Sequence, residues 1–237
     1  MMWQRQIGTS SGLEDKMKIF VMGMHRSGTS MLTGALSICG MYIGKNLLSG
    51  ARDNPTGHFE DKRFLNINNS ILIKNGGSWH TPPDSLAYQG MKGAMLEFLS
   101  RPEWDNHEPS GWKDPRTCLT FPLWYNLIHP EEIRVVLIER SRAAIIQSLK
   151  KRNGFPEAKS ARLAQIHYRR AYENIRKQGV RHFVTHYESL LSKRGGADEL
   201  ESICNFLGLD YPEAESPRRK KLEAFINPKL NHNRRTE

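Results

Sequence analysis

Residues 18–30, KIFVMGMHRSGTS, decide how the fold is read. Lys18–Gly23 is a short apolar run ending in glycine, the pattern of a buried strand. His25–Ser30 is a tight turn of small and hydroxyl residues. After it, Met31, Leu32, Ala35, Leu36 and Cys39 recur at helical spacing, and Gly40 marks the stop. Strand, glycine loop, helix is the opening of an α/β unit.

The same alternation continues outward. Residues 44–57 and 76–90 are rich in Gly, Asn and Pro and read as loops. Between them, Phe64, Leu65, Ile67, Ile71 and Leu72 predict a helix closed by Gly76-Gly77. Met91–Leu99 predicts a short helix, and Gly111–Lys113 a strand end cut by Pro115. Arg134–Glu139 (RVVLIE) is a β-branched strand, followed by a helix to about Arg152. A long helix is expected over 158–178, with Ala164, Tyr168, Ala171, Tyr172 and Ile175 on its inner stripe. HFVTH (182–186) is another strand, and Leu200, Ile203, Cys204 and Leu207 give a last helix ended by Gly208. The pattern predicts an α/β domain over 17–216 around a mostly parallel central sheet flanked by helices. Residues 1–16 read as a flexible lead-in and 217–237 as a basic C-terminal segment. In such sheets ligands bind beyond the carboxyl ends of the strands.

Composition narrows the function classes. The chain has 237 residues, enough for one large domain with a real core. No apolar run approaches the ~20 residues of a membrane span. The opening MMWQRQIGTSSGLEDK lacks the apolar centre of a secretory signal. Three cysteines far apart (Cys39, Cys118, Cys204) argue against a disulfide framework or a zinc site, and for a reducing, cytoplasmic setting. The net charge is +10, and it is uneven: residues 134–177 carry +9, residues 217–237 carry +5, and the remainder is near −4. That distribution implies an anionic partner: nucleic acid, a membrane surface or a small polyanion.

Two motifs carry the chemistry. Gly23-Met24-His25-Arg26-Ser27-Gly28-Thr29-Ser30 nearly fits the phosphate-loop pattern G-x-x-x-x-G-K-[ST]. Its glycines let backbone N–H groups curl around an anion, and the helix that follows adds its dipole. Thr29 stands where the lysine of that pattern belongs, and Arg26 is the fixed cation of the loop. No strand ends in a magnesium-holding Asp, because RVVLIE runs into Glu139-Arg140. The loop is therefore expected to bind a phosphate-like group without the Mg-ATP apparatus. The plainer alternative is a Gly/Ser turn that caps a helix. In the second motif, Arg140 closes a strand and Ser148 follows eight residues later, on nearly the same face of the next helix. An arginine fork and a hydroxyl so placed can hold one phosphate. A solvated helix start is the ordinary alternative.

Together these motifs resemble the sulfotransferases that use 3′-phosphoadenosine 5′-phosphosulfate (PAPS), and more narrowly the bacterial-type soluble members. HRSGTS resembles their 5′-phosphosulfate loop, and ERSRAAIIQSLKKRNG their 3′-phosphate element. NPTGHFED (54–61), GGSW (76–79), KDPR (113–116), THYESLL (185–191) and FINPKLNHNRR extend the resemblance over about residues 17–235. The resemblance implies a three-layer, P-loop-like fold. It implies that His25, Arg26, Ser27, Gly28, Thr29 and Ser30 cradle the 5′-phosphosulfate, and that Arg140 and Ser148 hold the 3′-phosphate. It also accounts for the absent lysine and metal site, since the donor is not a triphosphate. SPRRKKLEAF is basic but lacks the glycines of the family's C-terminal loop.

Sulfuryl transfer needs a base for the acceptor's proton and a cation for the leaving phosphate oxygen. The resemblance places an acid in GHFED, which makes Glu60 the expected base and His58 the runner-up; Asp61 should point away at the helix start. It makes Lys113 the expected cation. The implied acceptor is a small molecule, sugar or lipid with a hydroxyl or amine. Two other readings stay open at this point. One is a basic nucleic-acid-binding protein without catalysis, which leaves HRSGTS and KDPR unexplained. The other is a P-loop nucleotide kinase, which the absent lysine disfavours. Of the tryptophans, Trp79, Trp104 and Trp112 either line an acceptor cleft or simply pack.

Overall fold

The structure is a computed structural model and describes residues 16–50 and 57–226. The lead-in reading therefore falls almost wholly outside the described residues, as do the start of NPTGHFED and nearly all of FINPKLNHNRR.

Four strands form one sheet: β1 (Lys18–Met22), β2 (Ser110–Lys113), β3 (Ile133–Glu139) and β4 (His182–His186). Their order is β2-β1-β3-β4, and every pairing is parallel. Parallel strands need crossovers and are covered on both faces, which is why β1 and most of β3 are apolar at consecutive positions.

Alternate residues of the central strands feed two cores. Phe20, Met22, Val135 and Leu137 face one side. There they meet α2 (Lys62–Lys74), α3 (Lys92–Leu99), α4 (Pro102–Asp105), α5 (Thr117–Tyr125) and α7 (Glu157–Gln178). Phe64, Phe98, Trp104, Trp112, Phe121 and Trp124 fill that side. Ile19, Val21, Val136 and Ile138 face the other. They pack on α1 (Thr29–Ile38), α8 (Tyr187–Leu190), α9 (Gly196–Leu207) and α10 (Pro217–Phe225). A third cluster joins Met24, Leu163 and Ala164 with Ile145 and Leu149 of α6 (Arg142–Asn153), beyond the strand ends. The expected three-layer α/β fold with a parallel central sheet is what the chain forms.

Two sequence expectations are corrected, and one helix has no expectation to correct. The helix ended by Gly208 is not the last: α10 follows, with Ser216 accepting from the Arg219 amide at its start and Leu222 buried against the core. On α7 the buried stripe is Leu163, Ala164, His167, Ala171 and Ile175. Tyr172 is instead 40% exposed, because the buried histidine turns the stripe by part of a turn. Helix α5 has no apolar period to read, since nearly every residue is buried and Pro122 lies inside it. Trp104 and Trp112 are core residues; Trp79 alone of the three considered is half-buried.

Candidate active site

Strand β1 lies between β2 and β3, so the chain leaves the sheet to opposite sides around its carboxyl end. That is the switch point at which open parallel sheets bind ligands. Four loops meet there, one after each strand.

The loop after β1 needs its glycines. A Cβ at Gly23 would fall 2.7 Å from the Ile138 carbonyl of β3. Gly28 has φ of 96°, and a Cβ there would come within 2.2 Å of the Tyr187 ring. Arg26 is also left-handed, at φ 71°. The turn closes with the Ser27 amide donating to the Met24 carbonyl at 3.1 Å. Helix α1 then begins at Thr29 with no side-chain cap and no acidic residue in its first turn, so the positive end of its dipole is not offset.

Arg26 and the β3 loop are joined. Arg26 Nε donates to Ser148 Oγ at 2.7 Å, and Arg140 donates to the Arg26 carbonyl at 2.9 Å. The Arg140 guanidinium stacks on Tyr187 at 4.4 Å. By sequence, Arg26 belongs with one phosphate and Ser148 with the other. The structure ties the two together, with Ser148 accepting from Arg26 and keeping its own proton to donate.

The remaining expected residues meet at the end of β2. Lys113 Nζ lies 2.6 Å from Glu60 Oε1 and donates to Ser30 Oγ at 3.1 Å. Ser30 Oγ in turn donates to the His58 carbonyl at 3.2 Å. The Lys113 and Glu60 side chains are 2% and 9% exposed, so their charges compensate each other away from water. Asp61 turns away, as expected: it caps α2 by accepting from the amides of Arg63 at 2.8 Å and Phe64 at 3.0 Å. Burial raises its pKa against those two hydrogen bonds.

Sequence reasoning left several supporting residues unassigned. Asp114, fully buried, accepts from Arg116 at 2.8 Å and from Asn68 at 3.0 Å, which fixes the chain just after Lys113. Burial disfavours the Arg116 charge, but Asp114 and Glu60 outweigh it and its pKa is raised. His25 packs on Trp79, ring centres 4.1 Å apart and planes tilted by 43°, and meets the edge of His167 at 6.2 Å. Burial, then the cations around it, hold His25 well below the usual histidine range, and burial lowers His167 to about 4. Both imidazoles are therefore neutral at pH 7. Tyr187 could have been found from THYESLL; His167 carries no local signal, because a single histidine in a long helix looks like surface.

An open cavity of about 650 Å³ lies beside Arg140, lined by Glu139, Tyr168, His186 and Glu188 among others. With Arg26, Arg140 and Lys113 around one uncapped helix start, the donor set suits a ligand with more than one anionic group. Among the described residues, no group of three or more His, Cys, Asp or Glu is placed to hold a metal ion.

No protein-family model matches the chain, and no curated protein does. Among solved structures, the chain is similar to the sulfotransferase domain of the olefin synthase from Synechococcus PCC 7002. The TM-score is 0.54 at 16% identity, covering 98% of this chain and 90% of that one. It is also similar to sulfotransferase STF1 from Mycobacterium tuberculosis H37Rv, with a TM-score of 0.44 at 15% identity over 88% of this chain and 71% of that one. The likeness to the olefin synthase domain covers nearly the whole of both chains, and the chain has the sulfotransferase fold.

Proposed function

We propose that the protein is a sulfotransferase that takes its sulfuryl group from PAPS and passes it to a hydroxyl or amine. The observation that carries this reading is the buried Lys113–Glu60 pair, one hydrogen bond from Ser30 of the phosphate loop. A lysine and a carboxylate shielded from water in this way suit proton removal and charge stabilisation within one small volume.

Arg26, Ser27, Gly28, Thr29 and Ser30, with the start of α1, would hold the 5′-phosphosulfate. His25 would support them from its packing on Trp79. Arg140 and Ser148 would hold the 3′-phosphate, braced by Tyr187 and Arg26. Bound there, PAPS supplies an activated sulfuryl group on a phosphate leaving group. Glu60 Oε1 would accept the proton of the acceptor. Once neutral, Glu60 holds Lys113 less strongly, and the ammonium is released toward the leaving oxygen. His58 is the second candidate for the base. The three thiols are free and buried, which suits the reducing, cytoplasmic setting read from the sequence. None of the described helices is long and apolar enough to cross a membrane.

The test is thermal unfolding with adenosine 3′,5′-bisphosphate, the donor's product, beside Mg-ATP. At 100 times its Kd the bisphosphate adds about 2.7 kcal/mol. For a domain of this size that raises Tm by roughly 5–10 °C. The rise should exceed that with Mg-ATP and shrink in Arg140→Ala. A folded sample that shows no rise with saturating bisphosphate is not a PAPS enzyme.

A further inference from the structure

The C-terminal helix closes over the segment that carries Glu60. Phe225, the last residue of α10, meets Phe59 edge to face, with ring centres 5.7 Å apart and planes at 86°. Both rings rest on Gly34, in the middle of α1. A Cβ at Gly34 would fall 2.2 Å from Phe225 Cζ and 2.9 Å from Phe59 Cζ. Glycine inside a helix is less stable than alanine, so its use here is space.

Phe59 has φ of 54°, a left-handed conformation that bulky side chains seldom adopt. Such a conformation persists only where the surroundings over-determine it. Its neighbours are held directly: the His58 carbonyl accepts from Ser30, and the Glu60 carbonyl from the Leu48 amide at 2.7 Å. The Phe59 ring itself is held by Phe225. Helix α10 is anchored independently, through the Ser216 cap and buried Leu222.

We propose that Phe225 is a positioning residue: packed on Phe59 over Gly34, it keeps the left-handed turn at Phe59 and so keeps the Glu60 carboxylate against Lys113. This rests on the reading of Glu60 as the base. Without the ring, Phe59 relaxes toward negative φ and the following carboxylate swings. A displacement near 1 Å can cost about a hundredfold in rate.

The test uses the full chain as wild type, Phe225→Ala, Gly34→Ala, Phe225→Leu and Glu60→Gln. Three quantities are measured: amide hydrogen exchange of a peptide spanning 57–62, affinity for adenosine 3′,5′-bisphosphate, and hydrolysis of PAPS, in which water takes the sulfuryl group and the bisphosphate leaves, as kcat and KM. Phe225→Ala and Gly34→Ala should each speed exchange across 57–62 and lower kcat about tenfold or more. Bisphosphate Kd and KM for PAPS should stay within about twofold. Phe225→Leu should recover most of the rate. Gly34→Ala strengthens α1 by propensity while displacing the rings, so it reports on position even if Phe225→Ala folds poorly. Unchanged exchange at 57–62, or unchanged kcat in both variants, overturns the proposal. So does bisphosphate affinity falling in step with kcat, which is a general loss of structure. If Glu60→Gln keeps wild-type kcat, the base assignment fails, and with it the catalytic part of this proposal. The exchange data then still decide whether Phe225 holds the segment.

Discussion

Lys113 Nζ and Glu60 Oε1 stand 2.6 Å apart at the carboxyl end of β2, from residues 53 positions distant in sequence. On the function proposed above, the contact unites the base and the cation of sulfuryl transfer. It also lets the two charges compensate each other where both side chains are almost closed to water, with Arg116 a further cation within reach of Glu60.

Glu60→Gln should lower turnover about a hundredfold or more while leaving bisphosphate affinity within about threefold. Steady-state kinetics beside calorimetric titration reads both. Normal turnover would remove Glu60 from the mechanism and bring His58 forward.

The pair should be non-additive in stability. Lys113→Met leaves a buried carboxylate without its partner and should cost about 3–5 kcal/mol. Adding Glu60→Gln should return most of that loss and none of the activity. Urea unfolding of the four proteins in this cycle measures it; additive losses would mean the two charges are independently solvated.

Asp61 separates capping from catalysis. Asp61→Asn keeps an acceptor for the Arg63 and Phe64 amides, so turnover and stability should stay close to wild type. Asp61→Ala should lose about 1 kcal/mol, with turnover retained. An inactive but stable Asp61→Asn would place the base there instead.

Arg26→Ala and Arg140→Ala should both weaken bisphosphate binding strongly. Arg26→Ala also strips Ser148 of its donor, so Arg26→Ala and Ser148→Ala should be coupled rather than additive. Calorimetry on the singles and the double decides; full additivity would mean the contact carries no binding energy.

Acid should destabilise the fold through its two buried histidines. In the unfolded chain an imidazole titrates near about 6.5. In the fold His167 is held to about 4, and His25 well below 6.5, both first by burial. The contribution is fully present above 6.5. It is lost as pH falls from there toward 4, because the unfolded state takes up protons that the fold refuses. For His167 the difference is worth about 3 kcal/mol. His167→Met should therefore flatten the fall in Tm between pH 6.5 and 4.5 relative to wild type. An equally steep fall would show that other groups cause it.

Much of this protein is legible along the chain. The strands at 18–22 and 133–139 and the glycine loop between β1 and α1 show in sequence, because a parallel strand buried on both faces is a local apolar run; the edge strand at 182–186 shows instead by its aromatic and β-branched centre, Phe183-Val184-Thr185. The glycines of that loop are legible too, because its close backbone approach and left-handed turn admit no Cβ at Gly23 or Gly28. Residues whose roles depend on distant partners are not. Nothing near Gly34 announces Phe225, nothing near Arg26 announces Ser148, and His167 looks like surface until α7 turns it onto His25. Those relationships are set by packing between elements dozens of residues apart. A sequence fixes its local periods and turns by itself; which side chains meet is decided only when the two cores close on the sheet and bring the strand ends together.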